Sequence, residues 1–160
     1  MENTNLDELK KRYAEIQEKH GLPGFQEMNE EFGIEKADIE KFDILIREIR
    51  KYVIDKVLNY MRFIEGILNP SNSPMFIFSV VKALESGDKE RLTEIYKKFS
   101  KIELDLIEID LKFSEEKEAS FIKNTYSDWK EVQTELLDIL GKIKANWDKE
   151  AVKGDKSFIR

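Results

Sequence analysis

The chain has 160 residues, 38% of them charged and 41% hydrophobic, with one histidine, no cysteine and a formal net charge of −6. The missing cysteines exclude disulfides, thiolate metal sites and cysteine nucleophiles, and the acidic balance argues against general nucleic-acid binding. The opening MENTNLDELKKRY is charged from its second residue with no secretory apolar core, and no apolar run reaches the roughly 20 residues that span a bilayer, so a cytoplasmic protein away from the membrane is expected.

In chain order, Asn5-Leu6-Asp7-Glu8 resembles a helix start, with Asn5 as cap and Glu8 at the reciprocal capping-box position. Leu6, Leu9, Tyr13 and Ile16 form one stripe, His20 falls in the last turn, and Gly21 suits the left-handed position beyond it. Leu22-Pro23-Gly24 breaks the helix, and Phe25 to Phe32 reads as a short helix ended by Gly33. The segment 34–41 is a connector, with Asp38 a candidate cap for the long helix after it.

The stretch from Phe42 to Leu68 is the longest clear amphipathic helix. Phe42, Ile46, Ile49, Val53, Val57, Tyr60, Ile64 and Ile67 recur in steps of three and four, with charged residues filling the other faces. Asn69-Pro70 stops it, and Ser73-Pro74 restarts a helix with Ser73 as cap and Pro74 as first helical residue. The next segment, MFIFSVVKALES, has almost no polar face, which predicts a buried plug, ended by Gly87, with Asp88 capping the next helix.

From Lys89 the pattern is a heptad through Leu92, Ile95, Phe99, Ile102, Leu106, Ile109 and Phe113. A second stripe of Leu104, Ile107 and Leu111 predicts that this helix is sandwiched between neighbours in its later half. IELDL and IEIDLKF also alternate like strands, but they continue a helical pattern without flanking turn residues. Ser114-Glu115-Glu116 predicts a break and a new capped helix, although no Gly or Pro enforces it and one helix over 89–148 is the alternative. The last helix carries Ala119, Ile122, Tyr126, Trp129, Val132, Leu136, Leu140, Ile143 and Trp147 on one face. The sequence thus predicts an all-α, up-and-down bundle of five to six helices, three of them long, as one domain over 1–148 with a flexible tail over 149–160.

Charge is unevenly placed. Residues 1–40 hold five Lys/Arg against eleven Asp/Glu, whereas residues 41–100 hold eleven against eight. Arg47, Arg50 and Lys51, with Lys56 nearby, are the densest basic group and the candidate interaction residues, able to meet phosphate or an acidic partner. The competing reading is a solvated face or internal ion pairs with the acidic helix, and the lack of aromatics on that face weakens single-strand binding. Glu103, Asp105, Glu108 and Asp110 form the densest acidic group; the leading reading is a polar seam paired with a neighbour's Lys or Arg such as Arg47 or Arg50, and the functional alternative is a cluster for a divalent ion or acid–base work. A ferritin-like site needs Glu-x-x-His pairs that the single His20 cannot supply, and no P-loop, dinucleotide turn or calcium loop is present. No catalytic residue, metal ligand or cofactor site is therefore assigned.

The phrases LPGFQEMNEEFGIE at 22–35, LIREIRKYVIDKVLNYMRFIEGILNPSNSPMFIF at 45–78 and SEEKEASFIK at 114–123 resemble a family of small, all-helical archaeal proteins with no assigned activity. The resemblance covers about a third of the chain. It implies a cytoplasmic archaeal helical protein and shaped junctions at 22–33 and 69–74, and brings no catalytic residues. The expected function is a non-enzymatic helical module that binds a protein or ribonucleoprotein partner or self-associates. The alternatives are a small ligand- or divalent-metal-binding enzyme using the carboxylates of 103–110, and nucleic-acid contact through the basic helix face.

Overall fold

A computed structural model describes residues 2–40 and 44–158, with side chains placed for 4–40 and 44–149. The protein is an all-α helical bundle. Its described elements are α1 (Glu2–His20), α2 (Phe25–Phe32), a 3-10 turn (Ile34–Lys36), α3 (Leu45–Leu68), a 3-10 turn (Pro70–Asn72), α4 (Met75–Ala83), α5 (Ser86–Leu111) and α6 (Glu115–Phe158). Among the described residues no helix is long and apolar enough to cross a membrane. The chain groups into two compact units, Met1–Leu58 with Ile102–Ser127, and Asn59–Lys101 with Asp128–Arg160. Helices α3, α5 and α6 contribute residues to each.

In the first unit, Leu9 and Tyr13 of α1, Met28 and Phe32 of α2, Ile46, Ile49, Val53 and Val57 of α3, Ile102 and Ile109 of α5, and Ala119, Phe121 and Ile122 of α6 are buried. Each buried isoleucine or leucine contributes about 1.5–3 kcal/mol relative to exposure. The Leu22-Pro23-Gly24 junction is tied back onto α1. Gly21 takes a left-handed φ of 67°, its N–H bonds the Gln17 carbonyl at 2.8 Å, and the buried Tyr13 hydroxyl donates to the Pro23 carbonyl. Burial, with Glu27 nearby, raises the Tyr13 phenol above its ordinary value. Phe25 then meets Tyr13 edge-on at 5.6 Å, and Phe32 meets Tyr126 at 6.3 Å, so α2 is fixed against α1 and α6 by aromatic contacts. Gly33 closes α2 with φ 64°, as the sequence predicts.

In the second unit, Ile64 and Ile67 of α3, Ile77, Val80 and Ala83 of α4, Leu92, Ile95 and Phe99 of α5, and Val132, Leu136, Ile139 and Ile143 of α6 are buried. Trp129 is buried in the same unit, its ring 5.1 Å from Tyr60 and 6.5 Å from Phe99. Arg91 joins α5 to α6 through Asp138 at 2.7 Å and Glu135 at 3.2 Å. The Arg91 guanidinium holds the Asp138 carboxyl below its ordinary value.

The break near Ser114 forms as predicted. The α5 helix ends at Leu111, α6 begins at Glu115, and the Ser114 hydroxyl accepts the Lys117 N–H at 3.4 Å. Glu115, Glu116 and Glu118 crowd the positive end of α6. Glu115 also bonds His20 Nε2 at 2.9 Å and faces Lys19 at 3.4 Å, so the basic end of α1 meets the acidic start of α6.

Several local expectations are corrected. The first helix starts at Glu2, because nothing in the polar opening stops a helix, so Asn5 lies inside α1 and cannot cap it. Asp38 does not cap α3: its carboxylate accepts the Glu40 N–H at 3.1 Å in a local turn, and α3 is described from Leu45. Phe42 and Asp43, the expected start, lie outside the described residues. Ser73 donates to the Gly66 carbonyl at 3.3 Å instead of capping α4, and Pro74 is itself the cap residue. Gly87 lies in the first turn of α5 rather than ending α4, and Asp88 is inside that turn rather than before it. The plug expectation for α4 also fails. Ile77, Val80 and Ala83 face inward, but Met75 is 85% exposed and Phe76 60% exposed. A nine-residue helix packed along one side buries one stripe, whatever the residues on the others.

Candidate interaction surface

The predicted basic residues lie in the first unit on α3. Arg50 points inward and is 4% exposed. Its Nε donates to Glu118 Oε2 at 2.8 Å, and its terminal nitrogen donates to Asp110 Oδ1 at 2.9 Å and Glu118 Oε1 at 3.4 Å. Glu118 is wholly buried. It lies within the first turns of α6 and is placed there by the Ser114 cap. Arg47, half exposed, lies 3.9 Å from both Asp110 and Glu118 and stacks over Phe113 at 5.5 Å. Two guanidinium groups and two carboxylates from α3, α5 and α6 thus form a neutral cluster, in which the forked Arg50 satisfies a carboxylate that burial would otherwise penalise. Lys51 is exposed, with its Nζ 3.6 Å from Glu48.

The acidic group does not converge. Asp110 turns toward the arginines, while Asp105 and Glu108 are exposed and Glu103 is half-buried. Among the described residues no three His, Asp or Glu side chains are grouped to hold a metal ion. His20, the remaining metal-ligand type, is committed to Glu115.

The surface that stands out belongs to the same stretch of α5. Leu104, Ile107 and Leu111 are 67%, 51% and 83% exposed. Among the described residues no neighbouring helix covers them, contrary to the expected sandwich. Their 3-then-4 spacing is that of alternate a and d positions of a coiled-coil seam, and at about 100° per residue the three fall within roughly 60° of arc. Ile102 and Ile109, on the opposite side of the helix, are buried in the unit core. In this register Glu103 and Asp110 occupy g positions and Glu108 an e position, flanking the seam.

A second apolar surface lies in the second unit. Phe63, Phe76, Val80, Leu140, Ile143 and Trp147 line a pocket of about 350 Å³, with Lys144 and Asp148 at its edge. Phe76 and Trp147 lie 6.0 Å apart. The exposed Phe76 of α4 thus forms part of the wall of this pocket.

Sequence reasoning detected both apolar patterns and assigned both to the interior. The discriminating signal for α5 was the pair of acids Glu103 and Glu108 beside the outer stripe, which have no cation opposite them among the described residues. For α4 it was the missing polar face itself, which exceeds what one side of packing can cover. No protein family, no curated protein and no solved structure matches this chain.

Proposed function

We propose that this chain is a non-enzymatic helical interaction module, acting in the cytoplasm, that binds a protein partner through the outer face of α5. The exposed Leu104–Ile107–Leu111 seam carries this reading. Three large aliphatic side chains at heptad spacing on a highly charged surface are costly to leave in water, and a partner helix is the element that covers them. The internal commitment of Arg50 and the stacking of Arg47 on Phe113 favour protein over a nucleic-acid or ribonucleoprotein phosphate as the partner. The carboxylates of 103–110 give no support to an acid–base centre, since Asp110 is neutralised and the others diverge.

The test is site-specific photo-crosslinking in cells. A photoreactive side chain replaces Ile107, and the same group replaces exposed Glu94 as a control. A discrete protein adduct from position 107 and none from position 94 is expected. Equal adducts at both positions, or none at 107, would remove the basis for the reading.

A further inference from the structure

The charges beside the α5 seam identify the chemistry of its occupant. Glu103, Glu108 and Asp110 flank Leu104, Ile107 and Leu111. Among the described residues no ion pair or hydrogen bond reaches the Glu103, Asp105 or Glu108 side chain, whereas Asp110 is held by Arg50 at 2.9 Å. A helix packing on this seam brings its own e and g residues against those acids. A second copy of this chain fits poorly. Parallel pairing would set Glu103 beside Glu108 of the other copy, and antiparallel pairing would set it beside Asp110, with Lys101 as the one attractive flank. Like charges at these positions repel and are the usual device against self-pairing.

We infer that the α5 seam is a docking site for a basic amphipathic helix, one with an apolar a/d stripe flanked by Lys or Arg. The inference rests on the proposed interaction role and adds the partner's charge. The apolar stripe supplies attraction, and the unpaired glutamates supply selection and on-rate.

The experiment uses the full chain and two synthetic three-heptad helical peptides. Both carry Ile and Leu at a and d; one has Lys and the other Glu at every e and g position. Binding is followed by fluorescence anisotropy at low and high salt. The Lys peptide is expected to bind at least about tenfold more tightly at low salt, with the gap narrowing as salt screens the flanks. Ile107→Ser, which changes no charge, should abolish binding of the Lys peptide. Glu103→Lys with Glu108→Lys should reverse the preference. Lys-peptide binding that survives Ile107→Ser would be diffuse attraction to an acidic protein and overturns the inference. So does equal binding of the two peptides, which still leaves the seam engaging a helix and the interaction role standing. Concentration-dependent dimerisation of the chain that Ile107→Ser abolishes identifies a second copy as the occupant and also overturns it. Binding of neither peptide, with no seam-dependent dimer, overturns the inference, and the crosslink at position 107 then decides the broader role on its own.

Discussion

The buried Arg50–Glu118 pair makes a sharp demand on the energetics of the first unit. Glu118 is fully enclosed and Arg50 is 4% exposed, joined by two contacts at 2.8 and 3.4 Å. Glu118→Leu leaves the guanidinium buried with Asp110 at 2.9 Å as its remaining partner. Breaking a buried pair on one side costs about 3–5 kcal/mol, and the retained Asp110 contact places this case near about 3. Arg50→Met strands Glu118 instead, with Arg47 no nearer than 3.9 Å, and costs about as much or more. The double variant Arg50→Met/Glu118→Leu removes both charges and fills the space with apolar volume, so it should lie within about 1 kcal/mol of the parent. The coupling is then several kcal/mol, far above what independent sites show. Urea unfolding followed by circular dichroism measures all four proteins, with unchanged m values required for comparison. At this chain length a 3 kcal/mol loss corresponds to a melting shift of roughly 6–12 °C. Single variants costing under about 1 kcal/mol whose effects simply add in the double variant would refute the reasoning, because the pair would then behave as a solvated surface bridge.

Gly33→Ala should destabilise by about 1–2 kcal/mol in the same unfolding assay, since the position has φ 64° and nothing lies within 4 Å of an added Cβ, so the cost is purely conformational. Ser114→Ala should cost about 0.5–1 kcal/mol by loss of the α6 cap, with Ser114→Gly milder. Glu115 sits below its ordinary value of 4.5 because His20 hydrogen-bonds it and Lys19 lies beside it. A depressed carboxyl contributes stability above its unfolded value that is lost as pH falls through its folded value. Glu115→Gln should therefore flatten the loss of stability below about pH 4.5 in acid titrations followed by circular dichroism, and an unchanged acid limb would count against the His20 contact. Leu104→Ser combined with Leu111→Ser should leave stability within about 0.5 kcal/mol, as these side chains are already in water; a loss of 2 kcal/mol or more would mean that the seam is covered in the free protein.

Most of the fold was legible because helix punctuation in this chain is local. Gly21, Gly33 and Ser114 act through their own φ angles or hydroxyls, and each terminates or starts a helix where its chemistry says it should. The buried stripes of α3, α5 and α6 were legible for the same reason, since a 3.6-residue period is written in the sequence alone. The failures depended on neighbours. Asp38 and Ser73 are sound caps by residue type, but each found a different partner, the Glu40 N–H and the Gly66 carbonyl. The apolar content of α4 gave its affinity for the core but not the number of faces the core could cover. The candidate site was half legible. The Arg47–Arg50 pairing with the acidic helix was one of two readings the sequence left open, and it required Glu118, which the acidic cluster of 103–110 did not include.

Helix α5 shows why burial and exposure cannot be separated by hydrophobicity alone. Its inner residues Ile102 and Ile109 and its outer residues Leu104, Ile107 and Leu111 are equally apolar, and both sets follow helical spacing. The difference lies in the acids beside them. Asp110, on the flank between the two faces, has Arg50 and Arg47 opposite it within 4 Å, so that flank closes against α3 without stranding charge. Glu103 and Glu108 have no such cation among the described residues. Packing a neutral or acidic helix of this same chain over the outer stripe would bury or crowd them, a cost of the order that opposes unpaired buried carboxylates. The outer stripe therefore stays open in the fold, and an element that closes it must bring positive charge along with its apolar face.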